Sequence, residues 1–284
     1  MLAFGLRRLG VALFVAFAVS VISFGLLYMS GDLAIALAGD TPDYAQVDLI
    51  RKQYGLDRPL IVQYGDWLHG ALGGDFGQSV YFKTPVKTMI AERLPVTMTL
   101  GLTSMLFALV LGLPLGVLAA IRPNSWIDRI ALTFSVLGQA LPSFWFALVL
   151  IVFLSLTWPL LPPSGTDSWE NFVMPTIVLG YNATPAIMRL TRTGMLEVLG
   201  ADYIRTARAK GLRPAKVLFK HALRNAVIPV VSLAAVQFGF MLGGSVVVET
   251  IFALHGTGFM AWEAIKNNDF PTVQAVIMVF ALFY

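Results

Sequence analysis

The polar positions of this chain fall in clusters, and between the clusters lie long runs with no charge at all. Uncharged stretches cover Leu9 to Met29, Thr97 to Ile121, Ile130 to Thr157, Asn171 to Met188 and Ala226 to Val248, and a last one covers Thr272 to Tyr284. A bilayer core needs roughly 20 apolar residues for one helical crossing. The pattern therefore predicts five complete spans, at about 9–29, 97–121, 130–157, 171–188 and 226–248. The sixth run holds 13 residues. A helix of that length rises only about 20 Å against a hydrocarbon core of about 30 Å, so 272–284 reads as a truncated sixth span. The expectation is an all-α polytopic membrane protein, with 1–284 as one transmembrane domain.

The segments between the spans carry helix signals of their own. In the long segment 30–96, Thr41-Pro42-Asp43 predicts a helix start, with Thr41 as N-cap and Pro42 at the first helical position, ending near Gly55. Pro59 to about Leu72 predicts a second short helix. Pro85 to Leu94 is amphipathic and too short to span, which predicts a helix lying in the membrane interface. Glu197 to Lys210 predicts a helix with its acids, Glu197 and Asp202, early and its bases, Arg205, Arg208 and Lys210, late. The helix dipole favours that order. Gly211 stands where a left-handed C-cap belongs, Pro214 opens a second helix to about Asn225, and Pro229 marks the entry to the fifth span.

Composition strengthens the membrane reading. Hydrophobic residues make up 57% and charged residues 13% of the chain, about half the charged share of a soluble domain. Charge also orients the spans. Segments 1–8, 122–129 and 189–224 carry +2, +1 and +7, whereas 30–96, 158–170 and 249–271 carry −2 each. Lys and Arg collect on the cytoplasmic side, so the N-terminus and the loop 189–225 are expected inside. The apolar stretch behind Arg7 and Arg8 is longer than a signal-peptide core of about 7 to 15 residues. The cleavage-like triplet Ala36-Leu37-Ala38 is therefore read as uncut.

Several kinds of chemistry drop out. No Gly-x-x-x-x-Gly-Lys-[Ser/Thr] phosphate loop occurs, so the chain is expected not to hydrolyse ATP itself. The drawn spans hold no ionisable residue, and Glu249 only borders the fifth, so an ion- or proton-relay mechanism has no groups to use. His69, His221 and His255 all fall between spans, without metal-ligand spacing. Milder polar groups remain in the spans: Gln139, Ser143, Ser232 and Gln237. Gln139, Gln237 and Glu249 are the candidates for lining a pathway, while Gly239, Gly243 and Gly244 are expected to let helices pack closely. The basic loop could bind lipid headgroups, at roughly 1 kcal/mol per Lys or Arg. Its helix–glycine–helix pattern points instead to a rigid docking element for a cytoplasmic protein. A nucleic-acid role does not suit a segment tethered to the membrane at both ends.

Tyr203-Ile204-Arg205-Thr206-Ala207-Arg208-Ala209-Lys210-Gly211-Leu212, with His221-Ala222-Leu223-Arg224-Asn225-Ala226 and Pro229, is similar to the cytoplasmic EAA loop of ABC-importer permeases. It most resembles the dipeptide/oligopeptide/nickel branch. Gly74-Asp75-Phe76-Gly77-Gln78-Ser79, Arg93-Leu94-Pro95-Val96-Thr97, Leu113-Pro114-Leu115-Gly116-Val117, Gln237-Phe238-Gly239, Gly243-Gly244-Ser245-Val246-Val247-Val248-Glu249, Gly256-Thr257-Gly258 and Asp269-Phe270-Pro271 match that branch in order and spacing. The stretch from Asp167-Ser168-Trp169 onward resembles the glutathione and dipeptide importers in particular. One departure is that the glutamate naming the loop is replaced by Arg205.

The resemblance implies a type I ABC-importer transmembrane domain on a six-helix plan, in a bacterial inner membrane. It implies a second homologous permease, two ATP-binding subunits and an extracytoplasmic substrate-binding protein as partners, beside membrane lipid. The chain itself would bind no cofactor, and ATP and Mg would sit on the partner subunits. The cargo implied is di- and oligopeptides, glutathione included. Nickel or opine-type solutes are the alternative within the family, and a lipid-anchored scaffold is the alternative outside transport. Arg205, Thr206, Ala207, Arg208, Ala209, Lys210, Gly211 and Arg213 would form the ATPase-coupling element. Ala207 and Ala209 would be small enough to let its backbone enter a groove on the ATPase.

Overall fold

The structure is a computed structural model and describes residues 2–38 and 43–284. Helix α1, Leu2–Ser30, follows the first uncharged run. Two short helices come next, α2 at Leu33–Ala38 and α3 at Tyr44–Gln53. The expected cap at Thr41 and Pro42 lies outside the described residues. As described, α3 begins at Tyr44, with the Asp43 side chain accepting from the Ala45 N–H. Past Tyr54 the chain turns at Gly55, where φ is +65°, and α4 spans Leu60–Leu72.

Helix α5 runs without a break from Val86 to Ile121, 36 residues. The interfacial helix expected at 85–94 is therefore the start of this long helix, not a separate element. Its apolar side, Val86, Met89 and Ile90, is buried against Met260, Ala275 and Val276, so protein covers the face that lipid was expected to cover. Arg93 interrupts the hydrophobic run, but it is paired with Glu263 at 3.1 Å.

The expected third span is bent. Helices α6, Trp126–Ala140, and α7, Ser143–Ile151, meet at 100°. Leu141 is extended (φ −79°, ψ 123°), the conformation that a following proline imposes. Pro142 supplies it. Helix α7 continues into a π-helical turn, Val152–Thr157.

Helix α8, Val173–Leu199, extends well past the expected end at Met188. It carries Arg189, Arg192 and Glu197, so Glu197 belongs to α8 and not to the basic helix. That helix is α9, Asp202–Ala209. It is followed by α10, Pro214–Lys216, a π-helical turn at Val217–Leu223, and α11, Arg224–Ala226. Helices α12, Ile228–Ile251, α13, Thr257–Lys266, and α14, Phe270–Phe283, complete the described chain. Among the described residues, Gly5–Met29, Val86–Ile121 and Ile228–Ile251 are long and apolar enough to cross a membrane, and the bent pair α6–α7 makes a fourth if taken as one span.

The chain divides into two compact units, 1–95 with 255–284, and 96–254. In the first, the Asp269 carboxylate is fully buried. It accepts from the Ser79 hydroxyl, from Val80 N–H at 3.0 Å and from Thr272 Oγ1 at 2.8 Å. Those bonds tie the Gly74–Ser79 motif to the start of α14, so two of the sequence motifs form one structural staple.

In the second unit α5 and α8 cross at backbone distance. A Cβ placed on Gly116 would stand 2.6 Å from the Met188 carbonyl oxygen, and one on Gly180 would stand 2.6 Å from the Ser104 carbonyl oxygen. Only glycine allows that approach, which is how small residues pack membrane helices. Within this chain no helix packs on Gly243 or Gly244: nothing lies within 4 Å of a Cβ on either. The core around the crossing is built from Leu100, Met105, Ala108, Met174, Val178, Ile187, Val230 and Met241.

Candidate functional site

Two features of the second unit bear on function. The first is the basic element 202–226. Helix α9 is amphipathic. Ile204 and Ala207, three residues apart and so on one face, are buried with Val117, Met195, Val217, Ala222 and Ala226. Its C-terminus is closed by a Schellman motif. Gly211 has φ +73°, its N–H donates to the Arg208 carbonyl at 2.9 Å, and the Leu212 N–H donates to the Ala207 carbonyl at 3.3 Å. Leu212 packs on the same apolar cluster. The Asn225 amide donates to the Tyr203 hydroxyl at 2.9 Å, which joins α9 to α11.

This folding separates the eight residues singled out from sequence. Arg205, Thr206, Arg208, Ala209, Lys210, Gly211 and Arg213 are all exposed on the outer side of the turn. Ala207 faces inward instead, into the cluster shared with the ends of α5 and α8. Its small side chain serves the internal packing of the element, not its outer surface. Arg205 has an i, i+3 contact with Asp202 at 3.4 Å, but both groups are more than four-fifths exposed, and such pairs contribute little. Arg208, Lys210 and Arg213 have no ion-pair partner among the described residues. The outer face therefore presents a row of cations on a rigid frame.

An ion pair that spacing did not reveal anchors the helix leading into this element. Arg192 of α8 donates through Nε and Nη2 to the two Asp128 oxygens, each at 2.7 Å. Asp128 is 2% exposed and also accepts from the Asn124 N–H at 2.9 Å. The sequence placed Asp128 in a short loop and Arg192 in a long one, with no periodicity to connect them.

The second feature is a cavity of about 290 Å³ between α7, α8 and α12. Gln237 lines it, together with Ser143 and Asn182. Gln139 lies elsewhere, accepting from Arg189 at 2.9 Å. Glu249 falls in the last turn of α12 and is fully buried, with Thr97 Oγ1 donating to it at 2.8 Å. It does not line the cavity. Asn182 is not among the polar span residues that the sequence analysis singles out, although it sits in an uncharged run as Gln237 does. The only available signal was one side-chain amide among apolar neighbours.

Comparison with known proteins agrees with this architecture. Residues 112–284 match the family model for the binding-protein-dependent transport system inner membrane component, and residues 1–101 match the N-terminal model of the same kind of membrane component. The chain is 40% identical over 283 residues to the glutathione transport system permease protein GsiC of Escherichia coli O1:K1, covering 99% of this chain and 92% of that protein. The same figures hold for GsiC of Shigella dysenteriae serotype 1. Among solved structures, an inward-facing form of the MetNI methionine ABC transporter matches with a TM-score of 0.54 at 21% identity, over 68% of this chain and 91% of that one. An amino acid ABC transporter matches with a TM-score of 0.53 at 15% identity, over 68% and 86%.

Proposed function

The chain belongs to the family of binding-protein-dependent transport system inner-membrane components, and from that premise we propose that it carries di- and oligopeptides, glutathione among them, across the bacterial inner membrane. It is a multi-pass permease subunit of an ABC importer. In the proposed assembly it pairs with a second permease, two ATP-binding subunits that hydrolyse ATP, and an extracytoplasmic binding protein, and its N-terminus faces the cytoplasm. The peptide cargo is supported by the 40% identity to a glutathione permease along almost the whole chain.

The observation that carries the coupling mechanism is the folding of α9 and its Gly211 turn onto the ends of α5 and α8, with the cations turned outward. Arg205, Arg208, Lys210 and Arg213 engage acidic or carbonyl groups on an ATPase. Thr206, Ala209 and Gly211 leave room for close approach. Ala207 transmits the displacement inward through the apolar cluster that it shares with Met195 and Val117. Helix α8 then moves with the element, and the Asp128–Arg192 pair takes α6 with it. Gln237 lies on the pathway that this motion opens and closes. A well-packed element moves as a unit, since close-packed interiors transmit strain.

The test is co-purification from native membranes in mild detergent. The intact chain brings down a second permease and the ATPases. A variant lacking residues 205–216 keeps the permease and loses the ATPases. Recovery of the ATPases with the variant would sink the coupling assignment.

A further inference from the structure

Several hydroxyl groups in the helices of the 96–254 unit satisfy themselves locally. Thr184 donates to the Gly180 carbonyl, Thr191 to the Ile187 carbonyl, Ser245 to the Leu242 carbonyl and Thr250 to the Val246 carbonyl. Ser143, Asn182 and Gln237 behave differently. Among the described residues none of their side chains makes a hydrogen bond to protein. All three line the same cavity of about 290 Å³, from three different helices. The rest of the wall is apolar, with Val178, Phe240 and Met241 as examples, and no ionisable side chain lines it.

None of the three is sealed inside the protein: Asn182 is exposed and Ser143 and Gln237 are half-buried, so their hydrogen-bonding groups are open to a solute in the cavity, and in a membrane span such groups are costly without a partner. Two carboxamides and a hydroxyl offer both donors and acceptors at neutral charge. That set matches a peptide bond, which presents one N–H and one C=O, and it is indifferent to the side chains beside it. It carries no charge to neutralise a peptide terminus and no carboxylate, imidazole or thiolate to hold a metal ion.

Resting on the peptide reading above, we infer that Ser143, Asn182 and Gln237 form a station in the permeation pathway that hydrogen-bonds the backbone amide of the passing peptide. The station recognises the amide and not the termini. Weak neutral contacts suit a transit site, which must release what it holds.

The test uses the complete importer in proteoliposomes with its binding protein. The probes are radiolabelled L-alanyl-L-alanine and the ester-linked analogue L-alanyl-L-lactate, which lacks the N–H. ATP-driven uptake of both is measured for the wild type, for Asn182→Ala/Gln237→Ala, and for Asn182→Gln. The binding protein is common to all three, so its own preference cancels in the comparison. A site built to hydrogen-bond an N–H discriminates strongly against an analogue without it. The amide-over-ester preference should fall about tenfold in the double alanine variant and persist in Asn182→Gln. An unchanged preference in the double variant overturns the station while leaving peptide import standing. Absence of peptide uptake by the wild type, in vesicles that take up another solute, overturns the peptide reading and the station with it.

Discussion

Arg192 holds Asp128 through two parallel hydrogen bonds, Nε and Nη2 each at 2.7 Å from a carboxylate oxygen, 64 residues apart in the chain. This pair joins α6 to α8 where Asp128 is buried. Removing one partner of such a pair strands the other charge. Asp128→Ala is expected to destabilise the protein by about 3 kcal/mol. Asp128→Leu with Arg192→Met should recover much of that loss, because an apolar pair leaves no orphan charge. Arg192→Lys keeps the charge but loses the two-pronged geometry and should fall between them. Thermal unfolding of the purified complex in detergent reads the order. Equal losses in the single and the double variant would mean that the pair contributes only volume.

Gly211 makes a separate prediction, because its backbone lies in the left-handed region at φ +73°. An open Cβ position surrounds it, so Gly211→Ala carries only the conformational cost, about 1 kcal/mol. Gly211→Pro cannot adopt that angle and also removes the N–H bonded to the Arg208 carbonyl. Uptake should be reduced in the alanine variant and abolished in the proline variant, with both inserted in the membrane normally. Charge reversal at Arg205 and Arg208 should abolish ATPase association without changing insertion. If instead transport tracked total positive charge and ignored Gly211, the element would be a lipid anchor.

Two glycines that look alike in the sequence should respond in opposite ways. A side chain at Gly116 meets the Met188 carbonyl and Thr191 at 2.6 Å, and backbone cannot step aside cheaply. Gly116→Ala should lower the yield of folded protein sharply. Gly244 has open space, so Gly244→Ala should stabilise α12 by about 0.5–1 kcal/mol through helix propensity alone. Size-exclusion profiles of the two variants in detergent separate the outcomes.

The features legible in the sequence are those set by neighbours in the chain. Gly55, Gly211 and Pro214 mark turns and starts correctly because their effects act within a few residues. The bend between α6 and α7 was harder to see. Hydropathy is continuous from Ile130 to Thr157, and only Pro142 interrupts it. The length of α5 was hidden for the opposite reason. Arg93 and Pro95 look like a boundary, but a salt bridge to Glu263 and burial on Met260 carry the helix through it. Asp128 with Arg192, and Asn182 with Gln237, are contacts between helices distant in sequence. A single sequence carries no register between them.

Orientation is the remaining expectation, and the absence of native cysteine makes it directly measurable. Single cysteines introduced at Lys83 and at Lys220 each stand alone as reactive thiols, and both native residues are exposed. Lys83 lies in the −2 segment 30–96 and Lys220 in the +7 segment 189–224. The positive-inside rule places the two on opposite faces, with 189–224 in the cytoplasm. A membrane-impermeant maleimide applied to intact spheroplasts should label Lys83→Cys at once and Lys220→Cys only after permeabilisation. The reverse result would put the cations of α9 outside, where no ATPase could reach them, and the coupling mechanism would fall. Labelling of both in sealed cells would place an even number of crossings between the two positions, on the outer face. Because α6 and α7 are bent by 100°, the count turns on whether that pair crosses or returns, and the two thiols decide it.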